Sequence, residues 1–510
     1  MAFASAQFVW FLILSVVLYY LVPKRCRWFL LLAVSYVFYL SGGVGFLGYI
    51  LFTTITTYTL GLLIGRVKKG ETKEEKQRSK KKKRLYGAVA LLLNFGLLYL
   101  VKYWNFTLDF LRVPPNLLRF DILMPLGISF YIFQSMGYII DLIRAKYPPQ
   151  KNPFKFALFV SFFPQLTQGP IGRYDELSPQ LLEGNHFSFD HLKEGAKLVV
   201  WGYIKKLVIA DRASVVACAI IDHYTSYSGS VILFGVLFYC IQLYCDFSGG
   251  IDIARGVARL FGIRMAENFK RPIFATSLTD FWRRWHITLG SWLKDYLFYP
   301  ITLSKPFIAI GKFMRKHLPG KAGKILPTSL ATFIVYFVIG IWHGASWKYI
   351  LFGCYNGVLI TASLLLDPFF FQVKKKLHVN DNTLPYKVMA ILRTTFIVVV
   401  GRYLTRSAGV TSALLMLKKT VTDFGGATLF DGTLMNLGLT LSDYLVVLAG
   451  VLVLFTLELF EETGTKLSEK LEQKGWLPTF LLAFGAVMVL LYFGIYRGNH
   501  IASEFIYKQF

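Results

Sequence analysis

The sequence predicts an all-α fold, a polytopic bundle of helices spanning a membrane. Three observations predict it. First, 55% of the residues are hydrophobic and only 17% are charged, whereas soluble domains hold about 45–50% and about 25%. Second, in a chain whose mean hydropathy is +0.50, the apolar residues arrive in blocks over 7–22, 46–64, 85–101, 231–242, 328–341, 350–366, 388–401, 444–459 and 480–495. Third, basic residues gather in the short connections between blocks, as in membrane proteins whose Lys- and Arg-rich loops stay in the cytoplasm.

A helix crossing ~30 Å of hydrocarbon needs about 20 mostly apolar residues. On that rule the chain holds roughly eleven to thirteen membrane segments. The first block lacks a basic leader and a small-residue cleavage site, so it reads as a retained helix. The stretch 27–40 is short and suits a tilted, thin or re-entrant span. Lys24, Arg25 and Arg27 separate the first two helices, and the run 66–84, with Lys80, Lys81, Lys82 and Lys83, follows the third. Both lie on the cytoplasmic side only if the N-terminus starts outside. The run 66–84 reads as a solvated basic cytoplasmic loop, able to lie against anionic headgroups. The net charge of +27 thus points to membrane lipids and topology, and nucleic acid is not expected.

The whole chain, 1–510, reads as one membrane domain with a catalytic core over 120–347. From 120 to 300 the apolar helices are interrupted by Pro125-Leu126-Gly127, by Pro164 to Pro170 and by Asp246-Phe247-Ser248-Gly249-Gly250. Non-helical backbone at membrane depth must be shielded by protein or line a wet cavity, so broken or re-entrant helices around a polar cavity are expected here. The stretch 405–443 reads as a longer amphipathic loop. Five cysteines, odd in number and without a CxxC pair, read as small buried hydrophobes. No clustered ligand spacing suggests a metal, and no tightly bound cofactor is expected.

Of eight histidines, His186, His191, His317 and His378 fall in polar loops, and His223 and His500 near the ends of apolar stretches. Two stand apart. His343 closes an apolar run in Gly340-Ile341-Trp342-His343-Gly344. An ionisable group in a span costs roughly 2.5 kcal/mol or more when charged, so it faces a cavity or a partner. His286 follows Thr279-Asp280-Phe281-Trp282-Arg283-Arg284-Trp285. Asp280 is the expected N-cap of a helix on which Trp282 and His286 share a face, with Arg284 suited to bidentate anion contacts. An interfacial Trp and Arg belt is the competing reading. Two imidazoles in a dry, Trp-lined site suit acyl transfer, one taking the proton of an attacking hydroxyl. No GxSxG nucleophile elbow is present.

At these residues the chain resembles the membrane-bound O-acyltransferases, in the bacterial branch that acetylates alginate or transfers D-alanine to teichoic acid. The resemblance covers most of the chain. It runs through Leu126-Gly127-Ile128-Ser129-Phe130, Gln134-Ser135, Tyr138 to Asp141, Ser161 to Leu166 and Gly169-Pro170-Ile171. It continues through Asp246-Phe247-Ser248-Gly249, Asp252, Glu267-Asn268-Phe269, Phe281 to His286 and Trp342 to Trp347. It implies a ring of helices around a central tunnel open to both faces. It also implies His343 as catalytic base, with His286 orienting or stabilising the tetrahedral oxyanion. Trp282, Trp285, Arg284 and Trp342 would wall the tunnel, with Asp246 and Asp295 as polar supports. Acetyl-CoA or a carrier-bound acyl group would serve as cytoplasmic donor, and an extracytoplasmic protein would take the acyl group onward, across a bacterial plasma membrane. Ala345-Ser346-Trp347 favours the alginate-like side. Phe298 to Lys305 and Tyr355-Asn356-Gly357 depart from the family pattern and bear on the acceptor. The expected activity is therefore O-acetyl transfer to an extracellular glycopolymer. The alternatives are D-alanyl transfer to teichoic acid through a carrier protein and, more remotely, a transporter or flippase.

Overall fold

The computed structural model of the chain describes residues 1–496 apart from residues 2, 4, 115–116, 121–123, 167, 319–321, 466, 468–469 and 471–472. His500 lies outside the described residues. Among them, eight helices are long and apolar enough to cross a membrane, and two shorter apolar helices accompany them. The chain is a multi-pass helical membrane protein. Its contacts fall into two compact units, one of Met1–Tyr203 with Gly250–Ala266, the other of Ile204–Gly249 with the described residues from Glu267 onward.

The first unit opens with α1 (Ala6–Leu21), capped by the Ser5 side chain, which accepts from Phe8 N–H. Next come α2 (Arg27–Leu40), α3 (Leu47–Arg66) and α4 (Lys73–Lys102). The basic run expected as a loop is helical from Lys73. Thr72 and Glu75 form a reciprocal capping box, which satisfies two orphan N–H groups. Lys, Arg, Glu and Gln are also good helix formers, so the charged segment simply extends the span outward. After α5 (Trp104–Phe110) comes α6 (Ile128–Ile143), which packs on α3 and α4. Gly61 and Gly87 lie at these crossings, where an added Cβ would meet Leu142 at 3.2 Å and Ile143 at 2.2 Å. The break at Pro125-Leu126-Gly127 is real: Gly127 is left-handed (φ 68°), and a Cβ there would sit 1.8 Å from the Leu166 carbonyl oxygen. Helices α7 (Pro153–Ser161), α8 (Phe163–Leu166), α9 (Tyr174–Glu183) and α10 (Phe189–Tyr203) follow, and Gly250–Ala266 joins them in this unit. Gln134 donates to the Phe159 carbonyl at 2.7 Å and accepts from Gln165, so the broken stretch is held by side-chain amides.

The second unit begins with a π-helical turn over Ile204–Ala210 and α11 (Asp211–Ile221). Helix α12 (Gly229–Leu260) then runs 32 residues. It passes unbroken through Asp246-Phe247-Ser248-Gly249-Gly250, where an interruption was expected. The polar side chains there find buried partners instead: Lys206 Nζ is 2.6 Å from Asp246 Oδ1, and Lys205 Nζ donates to Ser248 Oγ at 3.0 Å. With its polar groups satisfied, the helix has no reason to open. Short helices α13 (Leu278–Arg284), α14 (Ile287–Leu293), α15 (Tyr299–Thr302) and α16 (Lys305–His317) lead to the long spans α17 (Ala322–His343), α18 (Trp347–Lys376) and α19 (Leu384–Arg406). Within 405–443, read as a loop, α20 (Val410–Thr422) buries Ala413 and Met416, so the amphipathic pattern there belongs to a helix. Helices α21 (Leu441–Glu462) and α22 (Trp476–Phe493) close the described chain.

Helices α17 and α18 pack closely along their length. They are joined by Gly344-Ala345-Ser346, and Gly340 and Gly353 face each other across the contact. A Cβ on Gly340 would lie 2.5 Å from the Tyr349 carbonyl oxygen and 2.9 Å from Gly353 Cα, and one on Gly353 2.5 Å from the Tyr336 carbonyl oxygen. Backbone touches backbone beside the end of α17, which carries His343.

Candidate active site

His286 is not on a continuous helix with Trp282. The helix N-cap is Ser277, whose Oγ accepts from Asp280 N–H at 3.1 Å, while Asp280 accepts in return from Thr276 N–H. Ser277 wins because a side chain at N-cap reaches the N3 amide, the position Asp280 occupies. The helix stops at Arg284. Trp285 is extended, and His286 is left-handed with φ 50°. Trp282 and His286 therefore do not share a helical face as the sequence suggested.

The segment Glu267-Asn268-Phe269 imposes this geometry. Phe269 and Trp285 form an antiparallel bridge, Lys270 N–H donates to the Arg284 carbonyl at 2.9 Å, and Ile287 N–H donates to the Asn268 carbonyl at 3.0 Å. Asn268, fully buried, directs Oδ1 at three groups: Thr288 N–H and Thr288 O–H, each at 2.9 Å, and His286 Nδ1 at 3.3 Å. The backbone donor fixes the amide orientation, so Oδ1 accepts and the ring proton of neutral His286 sits on Nδ1. Nε2 then carries the lone pair. A left-handed non-glycine residue is held only where its surroundings over-determine it, and such strain gathers at functional sites.

The two histidines meet at one indole. The His286 ring lies 5.6 Å from Trp342 and the His343 ring 5.1 Å from it, and each imidazole lies within reach of the other's charge. Phe247 stands edge-on to His286 at 5.0 Å, and Phe352 edge-on to His343 at 5.8 Å. His286 is buried at 3% exposure, whereas His343 is partly exposed at the carboxyl end of α17.

The remaining residues fall into two groups. Trp342 touches both rings, Trp285 shares Phe247 with His286, and Trp282 shares Phe352 with His343. Trp282 donates its indole N–H to Asn356 at 3.1 Å, and Trp285 packs among Phe247, Phe269 and Phe281. Arg284, expected to hold an anion, is engaged within the protein: Nε contacts Asp280 at 3.1 Å, and Nη1 and Nη2 grip Glu462 at 2.9 and 3.0 Å. Arg271 reaches the same Glu462 at 2.7 Å. Asp246 sits beside Phe247 on α12 and binds Lys206, whose Nζ also meets Asp211 at 2.9 Å. Asp295 lies half-buried in a π-helical turn, Lys294–Phe298. In the sequence Asn268 is marked only within the run Glu267-Asn268-Phe269, and Lys206 and Asp211 are not singled out. A Lys pair in the apolar run Val199 to Ala210, followed at once by Asp211, was the available signal for the last two.

The model of the membrane-bound O-acyltransferase family matches residues 144–315, a span that holds His286 and stops before His343. A probable alginate O-acetylase of Pseudomonas syringae pv. tomato is 34% identical over 80% of this chain and 72% of its own length. A peptidoglycan O-acetyltransferase of Helicobacter pylori is 31% identical over 66% of this chain and 64% of its own length. A teichoic acid D-alanyltransferase of Bacillus subtilis is 26% identical over 57% and 69%. With its helical membrane architecture, two histidines about one tryptophan and relatives of this identity and coverage, the chain belongs to the membrane-bound O-acyltransferase family and is an acyltransferase.

Proposed function

We propose that the protein transfers an acetyl group from a cytoplasmic thioester, acetyl-CoA or an acyl carrier, toward an extracytoplasmic glycopolymer through a partner acyltransferase. It would sit in a bacterial plasma membrane with its N-terminus outside, acting as one domain whose catalytic core is 120–347. The observation that carries the reading is the convergence of His286 and His343 on Trp342. Two O-acetylating relatives, more similar in identity and matched over more of this chain than the D-alanylating one, support acetyl as the group moved.

In this reading the acceptor hydroxyl attacks the thioester carbonyl carbon, and His343 takes its proton. The C–S bond then breaks, and the departing thiolate receives that proton. His343 suits the base because the carbonyl end of α17 favours the imidazolium that forms, an effect typically worth about 0.3–1 kcal/mol. His286 suits orientation of the hydroxyl. Its Nδ1 proton is directed to Asn268, so in the neutral ring Nε2 accepts, and it is less suited to donate to an oxyanion. Trp282, Trp285 and Trp342 exclude water around the thioester, while Arg284, Asp246 and Asp295 hold the walls.

Purified enzyme in liposomes with labelled acetyl donor tests the base. His343→Ala should lower kcat by roughly 10²–10⁴-fold, the usual contribution of a positioned base, and full retention of transfer would remove His343 from the role. Supplying a D-alanyl carrier thioester in parallel tests the second reading.

A further inference from the structure

Three arginines are less than a tenth exposed among the described residues: Arg212, Arg259 and Arg402. Arg212 contacts Asp443 at 3.0 Å, and Arg259 contacts Glu194 at 2.7 Å. One helical turn beyond Arg402, Arg406 grips Asp222 with Nη1 and Nη2 at 2.9 and 3.1 Å. Arg402 itself, 6% exposed on α19, meets no carboxylate and no hydrogen-bond acceptor for its guanidinium among the described residues. Its guanidinium carbon lies over the ring of Trp285, 5.1 Å from the centre, and 5.9 Å from that of Phe352. Tyr239 and Cys240 of α12 lie within reach of its charge.

Aromatic faces attract a cation but offer no lone pair, so they recover only part of what a guanidinium loses on leaving water. Five N–H donors remain to be met. A buried charge persists where a partner arrives to share it, and none of the described residues supplies that partner. The surroundings hold the side chain ready. Gly401 lets α19 close on α18, since a Cβ there would lie 3.3 Å from the Phe352 ring and 3.2 Å from that of Tyr355. Arg402 is also one side chain from each imidazole: Trp285 directly precedes His286, and the Phe352 ring that Arg402 covers packs edge-on to His343.

We infer that Arg402 is an anion-recognition residue of the transfer site, holding a carboxylate or phosphate group of a substrate in the planar fork of its guanidinium. Arg284, the arginine that the signature run suggests for this task, is engaged with Asp280 and Glu462, which leaves the task to α19. The inference deepens the acyl-transfer reading and rests on it for the identity of the ligand as a substrate. The anion has two sources, a phosphoester of the donor or a carboxylate of the acceptor.

Transfer by enzyme in liposomes separates them. Acetyl-CoA is compared with neutral S-acetylpantetheine as donor, and an oligouronate with its carboxyl-reduced form as acceptor. R402Q should lower kcat/KM by about tenfold or more for the anionic member of one pair, chiefly through KM, and leave its neutral member within about twofold. The pair that responds names the source. R402K, which keeps the charge but loses the fork, should fall between, and it carries the same comparison if R402Q does not fold. Equal effects on charged and neutral members of both pairs, or no effect on any, would overturn the inference and leave Arg402 a packing residue. Absence of transfer by the unsubstituted enzyme would count against the acyl-transfer reading instead. Arg402 would then still be tested by whether CoA raises the unfolding temperature more than pantetheine does, and whether R402Q abolishes the difference.

Discussion

The contact between Gly340 and Gly353 makes the position of His343 depend on the absence of two methyl groups. Gly340→Ala places a Cβ 2.5 Å from the Tyr349 carbonyl oxygen and 2.9 Å from Gly353 Cα. Both neighbours are backbone, so no rotamer change relieves them. Ordinary contact begins near 3.4 Å, so α17 and α18 must separate by about 0.9 Å at this point. Overpacking of this kind costs typically about 1–3 kcal/mol. His343 lies three residues further along α17, on the same rigid segment, and its ring packs against Phe352 of α18 at 5.8 Å. A catalytic group displaced by about 1 Å can lose about 10²-fold in rate. Gly340→Ala should therefore lower the unfolding temperature in micelles and reduce kcat by about one to two orders of magnitude, with donor KM changing little. Thermal unfolding and labelled acetyl transfer on the same preparation measure both. Unfolding and kcat indistinguishable from the unsubstituted enzyme would show that the helices tolerate the methyl group, and that this contact does not position His343.

Two further outcomes follow from the site. Asn268→Ala removes the acceptor of three hydrogen bonds and orphans the buried Thr288 amide; a stability loss of about 1–3 kcal/mol is expected, with kcat reduced as His286 loses its orientation. An Asn268→Ala enzyme of unchanged stability and rate would show that the bridge of Phe269 with Trp285 holds His286 unaided. Lys206→Met strands Asp246 and Asp211, each at most 3% exposed, and breaking a buried pair from one side costs about 3–5 kcal/mol. Adding Asp246→Asn should return part of that loss, with a coupling of about 0.5–3 kcal/mol in denaturant unfolding; strictly additive losses would mean that the pair does not interact.

Much was legible in the sequence because the membrane imposes a length and a polarity that single segments must satisfy alone. The apolar blocks became spans, and the break at Gly127 was marked by the one residue type that adopts a positive φ freely. The run Phe281 to His286 and the segment Trp342 to Trp347 mark two histidines, whose rings the fold brings to one indole. Expectations failed where local pattern competes with distant partners. Asp246-Phe247-Ser248-Gly249-Gly250 looks like a break, yet α12 runs through it because Lys205 and Lys206 satisfy its polar groups from another segment. The charged run after residue 66 looks like a loop, yet a capping box at Thr72 starts a helix there.

What the sequence by itself determined is the class of molecule, and it marked the two histidines as candidates, since hydropathy and motif order are properties of contiguous residues. Only the tertiary structure decided that His286 is held left-handed by Asn268, that both rings share Trp342, that Arg284 is engaged with Glu462, and that Arg402 meets no acidic partner among the described residues. Each of these is a meeting between residues far apart along the chain. A charge is paired or lone, and a proton sits on one nitrogen or the other, only once the groups packed around it are in place.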